Sequence, residues 1–451
     1  MAVVPEDVLK KAAEAKKAAE AKLDTMLSEF EKANDTRTSK PGKNLRELLE
    51  ASPDLKARIV DSVAKGHLEK FALLPVGANA GGSYNSDDKT IELPRADLKT
   101  AHRDKSAAAE LVFVMGHEIQ HSFNSTASDR AVDAFVKDVE KIAKGAGPHD
   151  YTGAVRTFIQ SNREDEASGH IGGFNAIASQ VLKDNPKAGL RELYLAHPAR
   201  MQDFIDRSGK APTFSYALKP GLTIDADMTL RETPENVKAM GKHYFDQPPA
   251  AARLGAKGNQ DYPNYYGEWA LGVIADVEKQ TLAEAKKRDP KAVAPEVQLD
   301  LKDLGLKKSL MDSGLKYTDT SPKKPIALAH ETLHDGHARD AHPLNDQAMR
   351  SLQPHAAQLG LKDPAEVANL SAATALLAAK AGMERIDGIL VGRNGQFFAY
   401  QGDPMSESAD RIAVHTAQEK HKPAAESLAA LVNEQPQQAL TSPTQQRAQN
   451  L

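Results

Sequence analysis

The chain has 451 residues, which is enough for about two or three domains that each bury a core. Acidic and basic side chains are interspersed at a formal net charge of −4, which excludes a broad basic face for binding nucleic acid. Cysteine is absent, which excludes disulfides and thiolate metal ligands. No apolar run approaches membrane-spanning length, and the N-terminal segment is charged where a signal peptide has its apolar core, so export would need another route.

The first part of the chain predicts a helical arm followed by a small sheet. Residues 5–34 are rich in alanine, lysine and glutamate with a thin apolar stripe, so we expect residues 1–39 to form an arm, packed or solvated. Residues 71–76, 81–84 and 90–93 resemble short strands, the last two joined as a hairpin. Strands of this kind can hold an extended peptide by β-addition, but an ordinary hairpin gives the same pattern.

The run His117-Glu118-x-x-His121 carries the clearest chemical signal. Residues four apart lie on one face of a helix, so both imidazoles can reach one zinc ion at about 2.0–2.1 Å. Glu118 then stands where a general base for a bound water is needed. Ser106 is the predicted N-cap before the helix formers 107–110, and the apolar residues 111–115 predict a buried helix. The alternative is two hydrogen-bonded core histidines beside a surface glutamate.

A catalytic zinc site needs a third protein ligand, and a second helical pattern offers two glutamates. This pattern opens at residues 162–170 and has a clear apolar stripe. The stripe consists of Ala167, Ile171, Phe174 and Ala178. Helical periodicity places Glu164 closer to the stripe than Glu166, so the spacing alone slightly favours Glu164.

A family resemblance favours the other glutamate. The succession of these motifs resembles the gluzincin class of zinc metallopeptidases. Glu166-Ala167, running into residues 171–176, looks like the second metal-helix segment of bacterial toxin-type metallopeptidases, in which the glutamate before alanine is the metal ligand. The resemblance therefore implies Glu166, with Glu164 as the rival. Thermolysin-like members carry an acidic residue four positions after the ligand, whereas this chain has His170 there.

Two further segments contain chemically active residue types. His243-Tyr244 and residues 261–266 form the densest polar-aromatic stretches and are candidates for an oxyanion donor, although ordinary packing explains them equally well. His330-Glu331-x-x-His334 repeats the zinc spacing, with His337 and His342 following. Pro325 and Gly336 leave it little helix, so it resembles a histidine-rich connector that binds metal opportunistically.

The C-terminal third predicts a separate module. Residues 291–340 have broken periodicity and predict a linker, and residues 341–434 predict a small α+β module without a catalytic constellation. It should contain a helix from His342, an alanine-rich helix capped by Asp363 and Pro364, a hairpin turning at residues 393–395, and a closing helix at 412–433. The glutamine-rich tail, 435–451, should be disordered.

This module carries the closest resemblance in the chain. His342-Pro-Leu, the alanine-rich helix, Ile386-Asp387, residues 401–404 (Gln-Gly-Asp-Pro) and the glutamine-rich end resemble the C-terminal recognition domain of xanthomonad type IV secretion effectors. The chain departs from that pattern at Ala341, where the family often has a charged residue or histidine. The resemblance implies that a coupling ATPase of the secretion system recognises this domain, and that an immunity protein protects the producer.

Together these features predict a secreted antibacterial toxin with an α+β fold. Residues 40–290 would form a mainly helical, zincin-like metallopeptidase domain with a small sheet. Zinc would be its cofactor and Glu118 the base, and envelope peptides, peptidoglycan stem peptides or proteins would be its substrates. The toxin would pass from the producer's cytoplasm to a rival cell, where the periplasm is its expected site of action. The alternatives are a non-catalytic effector with structural zinc that binds a target protein, and a housekeeping peptidase whose C-terminal domain only binds substrate.

Overall fold

The computed structural model describes residues 6–74, 81–255, 259–311, 313–329, 343–356, 358–361, 364–383, 385–392, 396–402, 410–422 and 424–433. The fold class is α+β, as the sequence predicts, because long helices predominate and small sheets accompany them. Among the described residues, none of the helices is both long and apolar enough to cross a membrane.

Three helices begin the chain: α1 (Glu6–Asn34), α2 (Pro41–Ala51) and α3 (Pro53–Ala64). The described side chains of residues 10–18 are exposed, whereas the second half of α1 buries Leu23, Leu27 and Phe30 in the main core. Their helical spacing places these residues on one face, so α1 is solvated at its start and packed at its end.

A three-stranded sheet follows, built from β1 (Lys70–Leu73), β2 (Ser83–Asn85) and β3 (Thr90–Leu93). β3 lies in the middle, parallel to β1 and antiparallel to β2. The predicted hairpin is confirmed, with Tyr84 opposite Ile91. β2 is an edge strand within the described part of this sheet. The helix α4 (Arg95–Thr100) follows β3 in the chain.

The two longest helices form the centre of the domain. They are α5 (Lys105–Ala143) and α6 (Thr152–Asp184), and the short strand β4 (His149–Asp150) lies between them. The predicted N-cap Ser106 is wrong: Asp104 has an extended backbone, and its carboxylate accepts hydrogen bonds from the N–H groups of Ser106 and Ala107 at 2.9 and 3.3 Å. The helix therefore begins at Lys105.

Glycines allow α5 and α6 to approach closely. A Cβ atom added to Gly172 would lie 2.5 Å from the carbonyl oxygen of Gly116, and one added to Gly116 would lie 2.7 Å from the carbonyl oxygen of Gly172. Neither position has room for a side chain, because real Cβ contacts are longer. Since Gly116 directly precedes His117, this contact brings the motif-bearing turn of α5 against α6.

Shorter elements surround the two central helices. In chain order they are α7 (Leu190–Ala196), α8 (Pro198–Met201), the hairpin β5 (Ile205–Lys210) and β6 (Thr213–Leu218), α9 (Pro234–Met240), a π-helical turn (Gly241–Phe245), α10 (Pro249–Ala252) and α11 (Tyr262–Arg288). Asp261 caps α11 by accepting a hydrogen bond from the N–H of Asn264 at 3.0 Å.

The segment expected to be a linker is partly folded. Residues 297–329 contain β7 (Val297–Leu299), α12 (Leu301–Leu304), a 3₁₀ turn (Lys308–Leu310), β8 (Lys316–Asp319) and β9 (Ile326–Ala329). The strands join β4 in a sheet of order β4-β7-β8-β9, and Leu299, Leu304 and Tyr317 enter a second core together with Phe158. Strands of three or four residues are too short to show a period of two, which is why the sequence resembled a linker. The His330–His334 motif, His337 and His342 lie outside the described residues.

The C-terminal module has its own core of residues between Leu344 and Leu431. Its elements are α13 (Pro343–Leu352), a 3₁₀ turn (Gln353–His355), α14 (Pro364–Lys380), β10 (Gly388–Val391), β11 (Gln396–Gln401), β12 (Asp410–His415), α15 (Thr416–Glu419) and α16 (Ala424–Asn433). The hairpin prediction is confirmed by the antiparallel pair β10–β11, although its turn, like Asp363 and the tail 435–451, lies outside the described residues.

The closing helix predicted at 412–433 is wrong in its first part. Residues 410–415 form β12, which pairs antiparallel with β11. Val414 is buried while Arg411, Ala413 and His415 are exposed, so the side chains alternate between the two faces of the sheet. The helix that closes the module begins at Ala424.

Candidate metal centre

Two turns of α5 and one turn of α6 bring three metal-binding side chains together. The Nε2 atoms of His117 and His121 are 2.9 Å apart, and Glu166 Oε2 lies 3.5 Å from His117 Nε2. One ligand atom from each of the three residues can be chosen so that all lie within 4.8 Å of one another. No second group of three such donors occurs in the described part of the chain.

The geometry selects Glu166 over Glu164. Glu164 is exposed on the outer side of α6, where its Oε1 accepts a hydrogen bond from Gln160 at 2.8 Å. The slight preference for Glu164 from the apolar stripe is therefore wrong, because α6 turns its Glu166 side towards α5. The glutamate implied by the family resemblance is the one beside the histidines.

A glycine leaves the space in front of the two imidazoles open. A Cβ atom at Gly169 would lie 3.0 Å from His117 Nε2 and 3.1 Å from His121 Nε2. Gly169 lies one turn after Glu166 on the same face of α6, so any side chain there would fill the space between the three donors. Two imidazole nitrogens and one carboxylate are also the donor set of catalytic zinc sites. The residues present therefore fit a zinc ion.

The carboxylate of Asp165, on α6, contacts His121 on the side of the ring that faces away from His117. Asp165 Oδ2 lies 3.1 Å from His121 Nδ1, the ring nitrogen that does not face His117. Such a contact fixes the tautomer and the orientation of a ligating imidazole. Sequence reasoning missed Asp165. The sequence did contain a signal for Asp165, because this residue directly precedes Glu166. Two consecutive residues of one helix can contact two consecutive turns of a neighbouring helix.

His170, four residues after Glu166, lies beside the candidate metal centre. It is fully buried, and its Nε2 pairs with Asp203 Oδ2 at 3.1 Å. Its ring stacks on Tyr244 with centroids 3.6 Å apart and lies edge-on to His117 at 5.9 Å. His117 is therefore supported by packing against rings, whereas His121 is supported by a carboxylate.

Glu118 points towards the edge strand β2. Its side chain is buried, and a Cβ atom added to Gly82, directly before β2, would lie 3.5 Å from its Cγ. Burial raises the pKa of Glu118 to about 7, and the neighbouring carboxylates of Glu166 and Asp165 act in the same direction. A carboxyl group with this pKa can accept and release a proton at neutral pH.

The two imidazoles differ electrostatically. Burial lowers the pKa of His117 to about 4, so its ring is neutral and can offer a lone pair. Burial also opposes a charge on His121, but the carboxylates of Asp165, Glu166 and Glu118 outweigh it and raise the pKa of His121 to about 10. In the absence of a cation, a proton on His121 therefore balances part of the negative charge of the three carboxylates.

Tyrosines from later in the chain complete the site. The hydroxyl of Tyr266 on α11 donates a hydrogen bond to Glu166 Oε1 at 2.7 Å, and the hydroxyls of Tyr244 and Tyr262 bond to each other. The two polar-aromatic segments singled out in the sequence thus meet at the metal centre. His243 does not take part, since its Nε2 pairs with the carbonyl oxygen of Pro220 at 2.9 Å.

The comparison with known proteins concerns the other end of the chain. The C-terminal module has the sequence of an effector-recognition domain of type IV secretion systems. Residues 334–433 match the family model described as X-Tfes, XVIPCD, which is found in effectors of Xanthomonas. None of the curated proteins matches the chain. The match suggests a type IV secretion effector, in accord with secretion and with contact to a coupling protein.

Proposed function

We propose that this protein is a secreted antibacterial effector whose N-terminal part is a zinc-dependent peptidase. The observation that carries the proposal is the group His117, His121 and Glu166, with the carboxylate of Glu118 beside it. Donor type, spacing on α5 and the space kept open by Gly169 all favour a catalytic zinc site with three protein ligands.

In the proposed reaction, Glu118 acts as general base and then as general acid. A zinc ion held by the three side chains would lower the pKa of a bound water to about 7 and polarise the scissile carbonyl. Glu118 takes a proton from the attacking water and passes it to the leaving amine. Burial keeps the phenol of Tyr244 neutral by raising its pKa, so this phenol can donate a hydrogen bond to the developing oxyanion.

The position of the edge strand β2 favours a peptide as the substrate. The backbone of Gly82, directly before β2, lies beside Glu118, so the edge strand β2 borders the proposed general base. An extended peptide added along this edge would present its backbone beside the carboxylate. We propose envelope peptides of rival bacteria as substrates, either peptidoglycan stem peptides or proteins.

Delivery would depend on the C-terminal module. We propose that a coupling ATPase of the type IV secretion machine recognises this module and passes the chain into a target bacterium, where it acts in the periplasm. A producer of such a toxin needs protection, which implies a cognate immunity protein.

The proposal is tested with Glu118→Gln, which removes the base but keeps the size of the side chain. We expect the variant to bind about one zinc per chain and to lose hydrolysis of peptides or peptidoglycan by a factor of about 100 or more. Glu164→Gln is the matched control, because Glu164 is exposed on α6, and should keep full activity. Equal toxicity of Glu118→Gln and wild type in the periplasm of a target cell would contradict the proposal.

A further inference from the structure

A chain of hydrogen-bonded side chains runs from His121 into the groove between α3, α6 and the loop before α9. Its first member is Asp165, whose two oxygens are both occupied from α5. Oδ2 faces His121 Nδ1 at 3.1 Å and accepts from the hydroxyl of Ser128 at 3.2 Å. Oδ1 accepts from Asn124 Nδ2 at 2.7 Å, the shortest of the three contacts.

Asn124 is the branching point of this network. Its Nδ2 lies 3.3 Å from the hydroxyl of Ser168 in addition to Asp165, and its Oδ1 accepts from Gln120 Nε2 at 3.1 Å. Ser168 and Gln120 are both buried, and both donate to Glu232 Oε2, at 2.7 and 3.0 Å. The amide of Asn124 therefore joins the carboxylate behind His121 to three side chains from α5, α6 and the loop.

The outer end of the network lies in a large groove. Arg58 of α3 donates to Gln120 Oε1, and Arg58, Gln120 and Glu232 line a groove of about 1160 Å³. Glu232 is exposed there, so its side of the network is solvated, whereas Gln120 and Ser168 are enclosed. The orientation of the Asn124 amide is consequently set by buried partners on one side and by Asp165 on the other.

We propose that Asn124 is a positioning residue for the metal centre, which orients Asp165 and through it the imidazole of His121. The proposal rests on the proposed zinc site. Asn124 touches neither the metal donors nor Glu118 in the hydrogen bonds described above, so it acts only through Asp165. Without the amide of Asn124, the carboxylate of Asp165 loses the shortest of its three contacts. It can then turn away from His121 Nδ1. Groups that orient a ligating histidine typically change metal affinity by a factor of about 10–100.

The test measures zinc affinity of the full-length protein by competition with a chelator. We expect Asn124→Ala to weaken zinc binding about tenfold, and Asn124→Asp, which places a second carboxylate against Asp165, to weaken it at least as much. The visible absorption spectrum of the Co²⁺-loaded variants should change as well, because it reports the geometry around the ion. Urea unfolding of the metal-free variants measures the general loss of stability.

Asn175→Ala is the matched control. Asn175 is also a half-buried asparagine and makes two hydrogen bonds of 2.9 Å, to the backbone of Leu230 in the loop that carries Glu232. Its loss should destabilise the protein while leaving zinc affinity within about twofold and the Co²⁺ spectrum unchanged. An equal loss of affinity in both variants would overturn the proposal, because general loosening would then explain it.

The outcome also separates this proposal from the proposed function. If wild type binds zinc and hydrolyses peptides through Glu118, but Asn124→Ala keeps wild-type zinc affinity, the positioning role alone is overturned. If wild type binds no zinc, the zinc site and the positioning role fall together.

Discussion

At the scale of single residues, the candidate metal centre depends on the absence of a side chain at Gly169 as well as on the three donor side chains. Gly169 keeps the space in front of His117 and His121 open, since a Cβ there would lie within about 3 Å of both Nε2 atoms. Helices disfavour glycine by about 1 kcal/mol relative to alanine, so Gly169 lowers the intrinsic stability of α6.

Gly169→Ala should therefore weaken zinc binding, because the imidazoles must shift, while the helix itself tolerates the change. The matched control is Gly153→Ala on the same helix, where a Cβ meets nothing within 4 Å. We expect this control to gain about 0.5–1 kcal/mol of unfolding free energy and to bind zinc normally. Isothermal titration with zinc and urea unfolding measure both effects, and normal zinc binding by Gly169→Ala would contradict the assigned site.

A second residue-scale prediction concerns Glu110 on α5. Its carboxylate pairs with His197 Nε2 at 2.7 Å and with the guanidinium of Arg200. Burial alone would raise its pKa, but these hydrogen bonds outweigh burial and hold the pKa of Glu110 well below the usual 4.5. Because the folded-state pKa is depressed, its contribution to stability is present above pH 4.5 and is lost as the pH falls through the folded-state value.

Glu110→Gln should thus lower the unfolding free energy by about 3 kcal/mol at neutral pH, because Arg200 is left without its carboxylate. The difference from wild type should shrink as the pH falls below 4.5. Urea unfolding across this pH range measures it, and a difference independent of pH would show that charge is not the cause.

The sequence predicted some residues of the candidate site from local spacing, one only through a family resemblance, and one not at all. His117, Glu118 and His121 follow from one helical spacing, because the pattern is local. Glu166 needed a family resemblance, since α6 is buried on more than one side and its apolar stripe does not mark the side that faces α5. Asp165 was missed because its role depends on how two helices cross.

At the scale of elements, the crossing of α5 and α6 positions the donors. The crossing depends on Gly116 and Gly172, each facing the other's carbonyl oxygen. Gly172→Ala should push the helices apart and cost about 1–3 kcal/mol of unfolding free energy, with a parallel loss of zinc affinity. Gly272→Ala on α11 is the control, because nothing lies within 4 Å of the added Cβ. A wild-type melting curve for Gly172→Ala would contradict the close approach.

The two long central helices were predicted, although α6 begins at Thr152 and not at residue 162, and short strands were predicted poorly. α5 and α6 have 39 and 33 residues, long enough for apolar patterns to be recognised. β7 has three residues and β12 has six, and β12 precedes two helices. A strand this short is specified by the partner with which it pairs, and that partner cannot be read from the local sequence.

At the scale of the whole molecule, the described residues form three hydrophobic cores. The first joins α1 to the metal helices, and the second joins the ends of these helices to residues 297–329, which the sequence had placed in a linker. All the residues of the third core lie between Leu344 and Leu431. The proposed peptidase therefore extends to the end of β9, and the recognition module has apolar contacts of its own.

Truncation before residue 341 should then leave peptide hydrolysis and zinc binding unchanged while it abolishes delivery into target cells. Hydrolysis is measured on purified protein, and delivery in a contact-dependent killing assay with a secretion-competent producer. Killing by the truncated protein at the wild-type level would contradict the proposed role of the module. Loss of hydrolysis would show that the module contributes to the peptidase itself.

The position of Trp269, the single tryptophan of the chain, has a practical consequence. Its indole stacks on Phe158 with ring centroids 4.8 Å apart, one helical turn after Tyr266, whose hydroxyl reaches Glu166. The protein thus contains an optical reporter between its second core and Glu166, the proposed zinc ligand. Fluorescence excited selectively at the indole should follow zinc binding in the unlabelled protein, which would make the affinity measurable without a dye or an engineered thiol.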